Sequence, residues 1–392
     1  MKKTIYERSV ELHEASKGKM STEVKVPLRT QNDLSLAYTP GVAEPCREIE
    51  KDPERAYDLT WKGRVVAVVT DASAVLGLGN LKPESALPVM EGKSALIKRF
   101  AGIDSIPICL DAKDPDEIVK AVKVIAPTFG GINLEDIAAP KCVKVERELL
   151  KALDIPVFHD DQHGTAIVVG AAITNAAKVV CKELSKMTVV VSGTGAAGSA
   201  IIKMLHNLGV GEIYGFNING ILRRGGSYED FLVEELSQIT NSHNYDWTMA
   251  EAMKEADAFI GVSAGGIVTQ SMVASMKRDP IVFAMANPDP EITYDEGIRA
   301  GAAVMGTGRS DYPNQINNVL AFPGMWLGAM GCRARKITEE MKMAAVDALA
   351  SLIPDDKLHE EYIIPSPNDE RVALAVAEAI AKTAREQGLA RS

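Results

Sequence analysis

Lys186-Met187-Thr188-Val189-Val190-Val191-Ser192-Gly193-Thr194-Gly195-Ala196-Ala197-Gly198 is the stretch on which the fold turns. An apolar run ends in glycines spaced Gly193-x-Gly195-x-x-Gly198, and Ser199-Ala200-Ile201-Ile202-Lys203-Met204-Leu205 continues as a helix. Strand, glycine turn, helix is the order that a dinucleotide-binding unit requires. The first glycine makes the turn, the second lets backbone approach a pyrophosphate, and the third lets helix and strand pack closely. The helix N-terminus adds N–H donors and the positive end of a dipole. The plain alternative is a tight βα turn with no ligand. One position departs from the pattern. The following strand should close on Asp or Glu, about 20 residues on, to hold the ribose 2′-hydroxyl. It closes instead on Asn217, with Arg223 and Arg224 just beyond.

On both sides of this unit short apolar runs alternate with helical patterns. Upstream, strands fit 64–71, 105–111, 131–137 and 155–161, with a helix over 114–124 and a long, small-residue helix over 164–184. Downstream, strands fit 212–217, 256–262, 281–286 and 303–306, and helices over 338–352 and 369–387 follow. The alternation predicts parallel α/β architecture. The length of 392 residues predicts two domains rather than one core. The division falls near 161–165, giving an N-terminal α/β domain over 1–162. The second domain, over 163–392, is a Rossmann-like, doubly wound dinucleotide-binding domain that carries the C-terminal helices.

Composition narrows the function. Apolar residues make up 46%, charged residues 24%, and the net charge is -10. So acidic a chain offers no electrostatic footprint for nucleic acid or an anionic membrane, and an anionic substrate would need a local cationic site. The N-terminus lacks the apolar run of a signal peptide, and no segment is long enough for a membrane span. The five cysteines are scattered without a CxxC pair, which reads as reduced thiols in a cytoplasmic protein.

Several polar residues are candidates for chemistry. Glu135-Asp136 and Asp160-Asp161 place four carboxylates on two neighbouring strand ends, where ligands bind in open parallel sheets. Oxygen donors of this kind suit Mg²⁺ or Mn²⁺; strand-terminating, solvated acids are the alternative. His159 and His163 repeat the spacing of a helical zinc motif, but a strand followed by Gly164 makes them polar loop histidines instead. Lys93, near the start of an apolar helix, reads on its own as a snorkelling lysine, and Tyr38 as a packing tyrosine. Asn287-Pro288 and Asn317-Asn318 read as strand stops.

Taken in order, SLAYTPGVAEPC (35–46), VTDASAVLGLGN (69–80), PVMEGKSALIK (88–98), GINLEDI (131–137), FHDDQHGTA (158–166), GTGAAG (193–198), ANPDPE (286–291), GRSDYPNQINN (308–318) and FPG (322–324) resemble the signatures of the malic enzyme family, short prokaryotic form. The resemblance spans nearly the whole chain. It implies oxidation of malate with NAD or NADP and metal-assisted decarboxylation to pyruvate and CO₂. It assigns Tyr38 as general acid and Lys93 as general base. Glu135, Asp136 and Asp161 become ligands for Mn²⁺ or Mg²⁺, and Lys93, Asn287 and Asn318 become substrate contacts. Gly193, Thr194, Gly195, Ala196, Ala197, Gly198 and Asn217 become cofactor contacts. It also implies a homodimer, in which Tyr38 could serve the partner's site. Larger eukaryotic members use an arginine for the substrate carboxylate where this chain has Ala74, so substrate grip must rest on the metal, Lys93 and the asparagines. The neutral Asn217 and the nearby arginines tilt cofactor choice towards NADP. An amino-acid dehydrogenase, which needs no metal carboxylates, and a noncatalytic nucleotide sensor are the competing readings.

Overall fold

The computed structural model describes residues 3–75 and 77–391; Met1, Lys2 and Ser392, and Leu76 of the 69–80 motif, lie outside the described residues. Two sheets form. The first has the order β2-β1-β3-β4, with β1 Val65–Thr70, β2 Asp104–Cys109, β3 Gly131–Leu134 and β4 Val157–His159, all parallel. The second has the order β10-β9-β8-β5-β6-β7. Its strands are β5 Thr188–Ser192, β6 Glu212–Asn217, β7 Gly220–Ile221, β8 Ala258–Gly261, β9 Ile281–Ala284 and β10 Val304–Thr307. They are parallel except β7, which runs antiparallel to β6. The expected α/β class with two parallel sheets is what forms.

The valine runs explain the strands. Val65, Val66, Val68 and Val69 of β1 are all buried, as are Val189, Val190 and Val191 of β5. Strands covered on both faces read as unbroken apolar runs rather than alternating ones. Burying each such side chain stabilises by roughly 1.5–3 kcal/mol.

Strand order places the ligand crevices. In the first sheet the chain goes from β1 out to β2 on one side, then returns to β3 on the other. In the second it goes from β5 to β6, then back to β8. The carboxyl ends of β1/β3 and of β5/β8 are therefore the topological switch points, where open parallel sheets bind ligands.

Two departures from the sequence reading matter. The long helix begins at Asp160, not near 164, and runs Asp160–Val179. His163 and Gly164 are thus helical, and the loop expected there does not exist. Gly164 is tolerated because its missing side chain makes room: a Cβ there would sit 1.9 Å from the Asp160 carboxylate and 3.1 Å from Asn318. The C-terminal helices also return to the first sheet. In the helix Phe322–Gly331, the Trp326 ring packs on Gly131 of β3, and its indole N–H donates to Asn133 Oδ1 at 3.0 Å. The helix Arg371–Glu386 closes over it, with Gly324 and Gly328 facing Val376 and Ala377.

No helix among the described residues is long and apolar enough to cross a membrane. All five cysteines are unpaired.

Candidate active site

The ends of β3 and β4, the helix bearing Lys93 and the segment before Phe322 meet at one point. Lys93, on the helix Pro83–Ala101, is buried, with its Nζ 2.8 Å from Glu135 Oε1 and 2.5 Å from Asp160 Oδ2. Its ammonium lies 4.1 Å over the Phe322 ring, a cation–π contact. Asn318 Nδ2 donates to the same Asp160 oxygen at 2.6 Å. Glu135 accepts a second hydrogen bond from Asn133 at 2.9 Å, and Trp326 holds Asn133 in turn. The Asp136 backbone N–H donates to Asp161 Oδ2 at 2.7 Å, which ties the two strand ends together. Asp136 has φ 52°, a left-handed conformation that Asp adopts more readily than most residues.

The electrostatics follow from crowding acids around one cation. Burial pulls the Lys93 ammonium towards neutrality, but Asp160, Glu135 and Asp161 outweigh it and hold its pKa above the ordinary lysine value. Burial pushes the Glu135 and Asp160 carboxyls up to about 7 and Asp161 up to about 6, with Lys93 pulling all three back. The site therefore holds on to protons at the lysine and the acids alike, because it has more carboxylates than positive charge. The resemblance makes Lys93 a general base, and this arrangement of acids favours its charged form.

Glu135, Asp136 and Asp161, the expected metal ligands, are neighbours but do not converge. Among the described residues no three His, Cys, Asp or Glu side chains are placed to hold a metal ion. Lys93 takes up Glu135, and Asp161 accepts the Asp136 N–H. The donor chemistry nevertheless fits a hard divalent cation, since these are carboxylate oxygens short of positive charge, on buried Glu135 and Asp136 and half-buried Asp161. His159, at the end of β4, is fully buried, and that burial pushes its imidazole down to about 4.

The other predicted residues fall in two places. Asn287 follows β9 and faces the first sheet's loop, since a Cβ on Gly77 would lie 2.7 Å from the Asn287 carbonyl oxygen. Tyr38 is elsewhere. It ends the short helix Gln31–Ala37 and is 72% exposed, whereas Lys93 is buried, and among the described residues no hydrogen bond joins it to Lys93. No residue of the helices Ile5–Ser16, Gln31–Ala37 and Ala43–Lys51 is buried, and Ile5, Tyr6, Val10, Leu12, Leu34 and Leu36 are exposed.

The glycine turn joins β5 to the helix Ala196–Asn207. A Cβ on Gly198 would meet the Gly193 carbonyl oxygen at 1.9 Å, whereas one on Gly195 meets nothing within 4 Å, leaving an open cradle. Thr194 lies between these glycines, and Gly195 caps the helix Ala196–Asn207 without any side-chain cap. Ala196 and Ala197 open that helix, so their N–H groups face the cradle's end. Ser192 and Ser263 join the ends of β5 and β8 at 2.8 Å.

Asn217 ends β6, and its side-chain oxygen accepts the Asn219 N–H at 2.8 Å. The arginine argument needs correction. β7 pairs Gly220 with Asn217 and Ile221 with Phe216, so the chain doubles back towards the amino end of β6. Arg223 and Arg224 lie on that return. Arg223 pairs with Asp246 at 3.0 Å, and the Arg224 guanidinium donates to the Ser242 carbonyl. Neither is placed beyond the strand end, where a ribose phosphate would sit.

Some residues escaped the sequence reading. Asp160 was seen only as one of four acids, yet it is the partner shared by Lys93 and Asn318. Phe322 carried a signal in the FPG motif, but nothing in its spacing announced a ring under Lys93. Glu291, in ANPDPE, is buried and ties the ends of β8 and β9 by accepting the Ser263 and Ala286 N–H groups.

The sequence matches the malic enzyme N-terminal domain family over residues 17–150 and the malic enzyme NAD-binding domain family over residues 162–385. It is 54% identical to the bifunctional malic/malolactic enzyme of Bacillus subtilis over 390 residues, covering 99% of this chain and 95% of that one. It is 53% identical to the NAD-dependent malic enzyme of Geobacillus stearothermophilus, covering 95% of this chain and 78% of the relative. The NADP-dependent malic enzyme of Halomonas elongata is 45% identical, with 95% and 92% covered. The crystal structure of the NAD-dependent malic enzyme from Thermotoga maritima superposes with a TM-score of 0.92 at 46% identity, covering 95% of this chain and 98% of that one.

Proposed function

This chain belongs to the malic enzyme family, and on that premise we propose that it oxidises malate with a nicotinamide cofactor and decarboxylates the product to pyruvate and CO₂. The observation that supports this most is the buried Lys93 ammonium set between Glu135 and Asp160, with Asn318 on the same Asp160 oxygen. The open glycine cradle in the second sheet complements it.

Malate must lose its hydroxyl proton and the hydride on C2. Lys93 takes the proton as general base, once the field of the surrounding carboxylates is offset and burial again favours its neutral form. The 193–198 turn and Asn217 would hold NAD(P), which would supply the hydride acceptor when bound. The product is a 2-keto acid with a carboxylate β to the new carbonyl. The C3–C4 bond then breaks, CO₂ leaves, and the electron pair remains as the enolate of pyruvate. Glu135, Asp136 and Asp161 would hold a divalent Mn²⁺ or Mg²⁺, which would supply Lewis-acid stabilisation of that enolate when bound. Asn287 and Asn318 orient the substrate carboxylates by donating hydrogen bonds. Tyr38 gives the proton that C3 requires.

Tyr38 lies away from Lys93 within one chain, among helices that bury nothing. We therefore assign it to the site of a second copy in a homodimer, with the exposed apolar residues of 3–42 as part of the contact. The cofactor is NAD or NADP. No carboxylate at Asn217 repels a 2′-phosphate, and Asn217 Oδ1 is engaged by Asn219, which leaves its amide N–H groups to donate. The reading keeps a lean to NADP on that ground alone. Free thiols and the lack of a membrane-spanning helix among the described residues accord with a cytoplasmic setting.

The test is an absorbance assay at 340 nm with malate and Mn²⁺, run with NAD and with NADP, before and after chelation. Activity should vanish with chelator and return with Mn²⁺ or Mg²⁺. Chelator-insensitive oxidation of an amino acid, or no malate-dependent reduction of either cofactor, would defeat the proposal.

A further inference from the structure

Glu146 is a buried carboxylate that the chemistry above leaves without a role. It lies on the helix Lys141–Ala152, behind the first sheet, and points at the entrance of the Asp160–Val179 helix. It accepts the His159 backbone N–H at 3.2 Å, the Gln162 amide at 3.3 Å and the His163 Nε2 at 2.8 Å. His159 itself provides no side-chain cap for that helix, so the cap comes from another helix. A third element completes the arrangement. Lys342, buried on the helix Glu339–Ser351, places its Nζ 3.1 Å from His163 Nδ1 and 2.6 Å from Glu339. The same Nζ lies 3.4 Å from His163 Nε2, so Lys342 and Glu146 hold the imidazole ring between them.

A buried charge costs more than an apolar side chain of similar size unless it is fully partnered, and replacing such a group by an apolar one is often neutral or stabilising. Packing alone therefore gives no reason for a carboxylate here. What Glu146 holds is the first turn of the helix whose opening residues are Asp160 and Asp161. Burial pushes its carboxyl up, but the His163 contact, with Lys342 behind it, brings it down to about 2, so it remains an acceptor throughout the working range.

We propose that Glu146 is a positioning residue. From outside the Asp160–Val179 helix it grips His159, Gln162 and His163, and so fixes where the Asp160 and Asp161 carboxylates stand relative to Glu135 and Lys93. Lys342 holds the His163 ring in place for this grip. The role rests on the assignment of Asp161 as a metal ligand in the proposed function. Outer groups that orient metal ligands typically change metal affinity by roughly 10–100-fold when removed.

The experiment compares wild type, Glu146→Leu and Glu146→Gln by three readouts: Mn²⁺ affinity by calorimetry, amide hydrogen exchange at 159–163, and NADH affinity. Glu146→Leu should weaken Mn²⁺ binding by roughly 10–100-fold and speed exchange at those amides, while NADH affinity stays within about twofold. Glu146→Gln keeps an acceptor for the His159 N–H and should fall between, which also serves if the leucine variant does not fold. Wild-type Mn²⁺ affinity and wild-type exchange in both variants overturn the role of Glu146. A wild type that binds no Mn²⁺ overturns the metal assignment instead, and exchange at 159–163 then decides Glu146 by itself.

Discussion

Gly195→Ala and Gly198→Ala each add one methyl, three residues apart, and the structure separates their effects. At Gly198 the new Cβ would lie 1.9 Å from the Gly193 carbonyl oxygen and 2.6 Å from its carbon. A carbon–oxygen contact needs about 3.3 Å or more, so helix and turn must part by over roughly 1 Å. Gly193 cannot yield cheaply. Its φ is 107°, and its own face already meets the Val262 carbonyl oxygen, 2.8 Å from where a Cβ would stand. Overpacking of this kind costs about 1–3 kcal/mol, and the displaced helix N-terminus should also bind cofactor less well. Gly195 is the opposite case. Its φ of -71° suits alanine, and nothing lies within 4 Å of the added methyl. Stability should change by less than about 0.5 kcal/mol. If the pyrophosphate lies in that open cradle, the methyl takes its place, and 1–3 kcal/mol of overpacking corresponds to about 5–150-fold weaker NADH binding. Thermal melts with NADH titration by fluorescence distinguish the two. Gly195→Ala with wild-type NADH affinity would falsify the pyrophosphate placement. Gly198→Ala with a wild-type melting temperature would refute the close-packing argument.

Three further outcomes are expected. Lys93→Ala and Tyr38→Phe should each lower malate turnover by about 10²–10⁴-fold. Mixing the two as heterodimers should restore up to about a quarter of wild-type activity, because one site per heterodimer is then intact; no recovery on mixing would return Tyr38 to its own chain or dismiss it. Asn217→Asp should shift kcat/KM towards NAD by at least about tenfold through repulsion of the 2′-phosphate, and a wild type that uses NAD over about a hundredfold better than NADP would refute the reading of Asn217. Glu235 accepts two hydrogen bonds from Arg147, at 2.8 and 2.7 Å, and one from Lys203 at 3.0 Å, so Arg147 above all holds its carboxyl down at about 2 against a usual 4.5. A lowered folded-state pKa stabilises above the unfolded value and is lost as pH falls towards the folded one. Because Glu235 is partly exposed, the effect discounts to about 1 kcal/mol. Glu235→Gln should thus destabilise at pH 7, with the deficit shrinking from pH 4.5 downwards; denaturant melts at both ends of that window check it, and a constant deficit would contradict the linkage.

The strands and the glycine turn were legible because they depend on local sequence: valine runs for β1 and β5, and Gly193-x-Gly195-x-x-Gly198 for the turn. The start of the Asp160–Val179 helix was not. His159 cannot cap it, Gly164 reads as a breaker, and the group that secures the first turn, Glu146, is 13 residues earlier on another helix. The direction of Arg223 and Arg224 was hidden by a hairpin of only two β7 residues, which reverses the chain just where proximity in sequence suggested proximity to the ribose. The four acids could be grouped from their strand ends, but Lys93 standing between Glu135 and Asp160 required the packing of a separate helix. Tyr38 carried no sign in its sequence that it lies away from the lysine with which it is grouped.

The return of the helix Phe322–Gly331 to the first sheet bears on how the chain is made. A ribosome delivers β1 to β4 long before Trp326, whose ring covers Gly131 and whose indole N–H satisfies Asn133. Until those last helices emerge, the nascent first sheet has β3 uncovered around Gly131, with the Asn133 side-chain oxygen lacking its indole donor. Co-translational folding of this half must therefore wait, and a nascent chain stalled before residue 322 should be a better client for apolar-binding chaperones than one released whole.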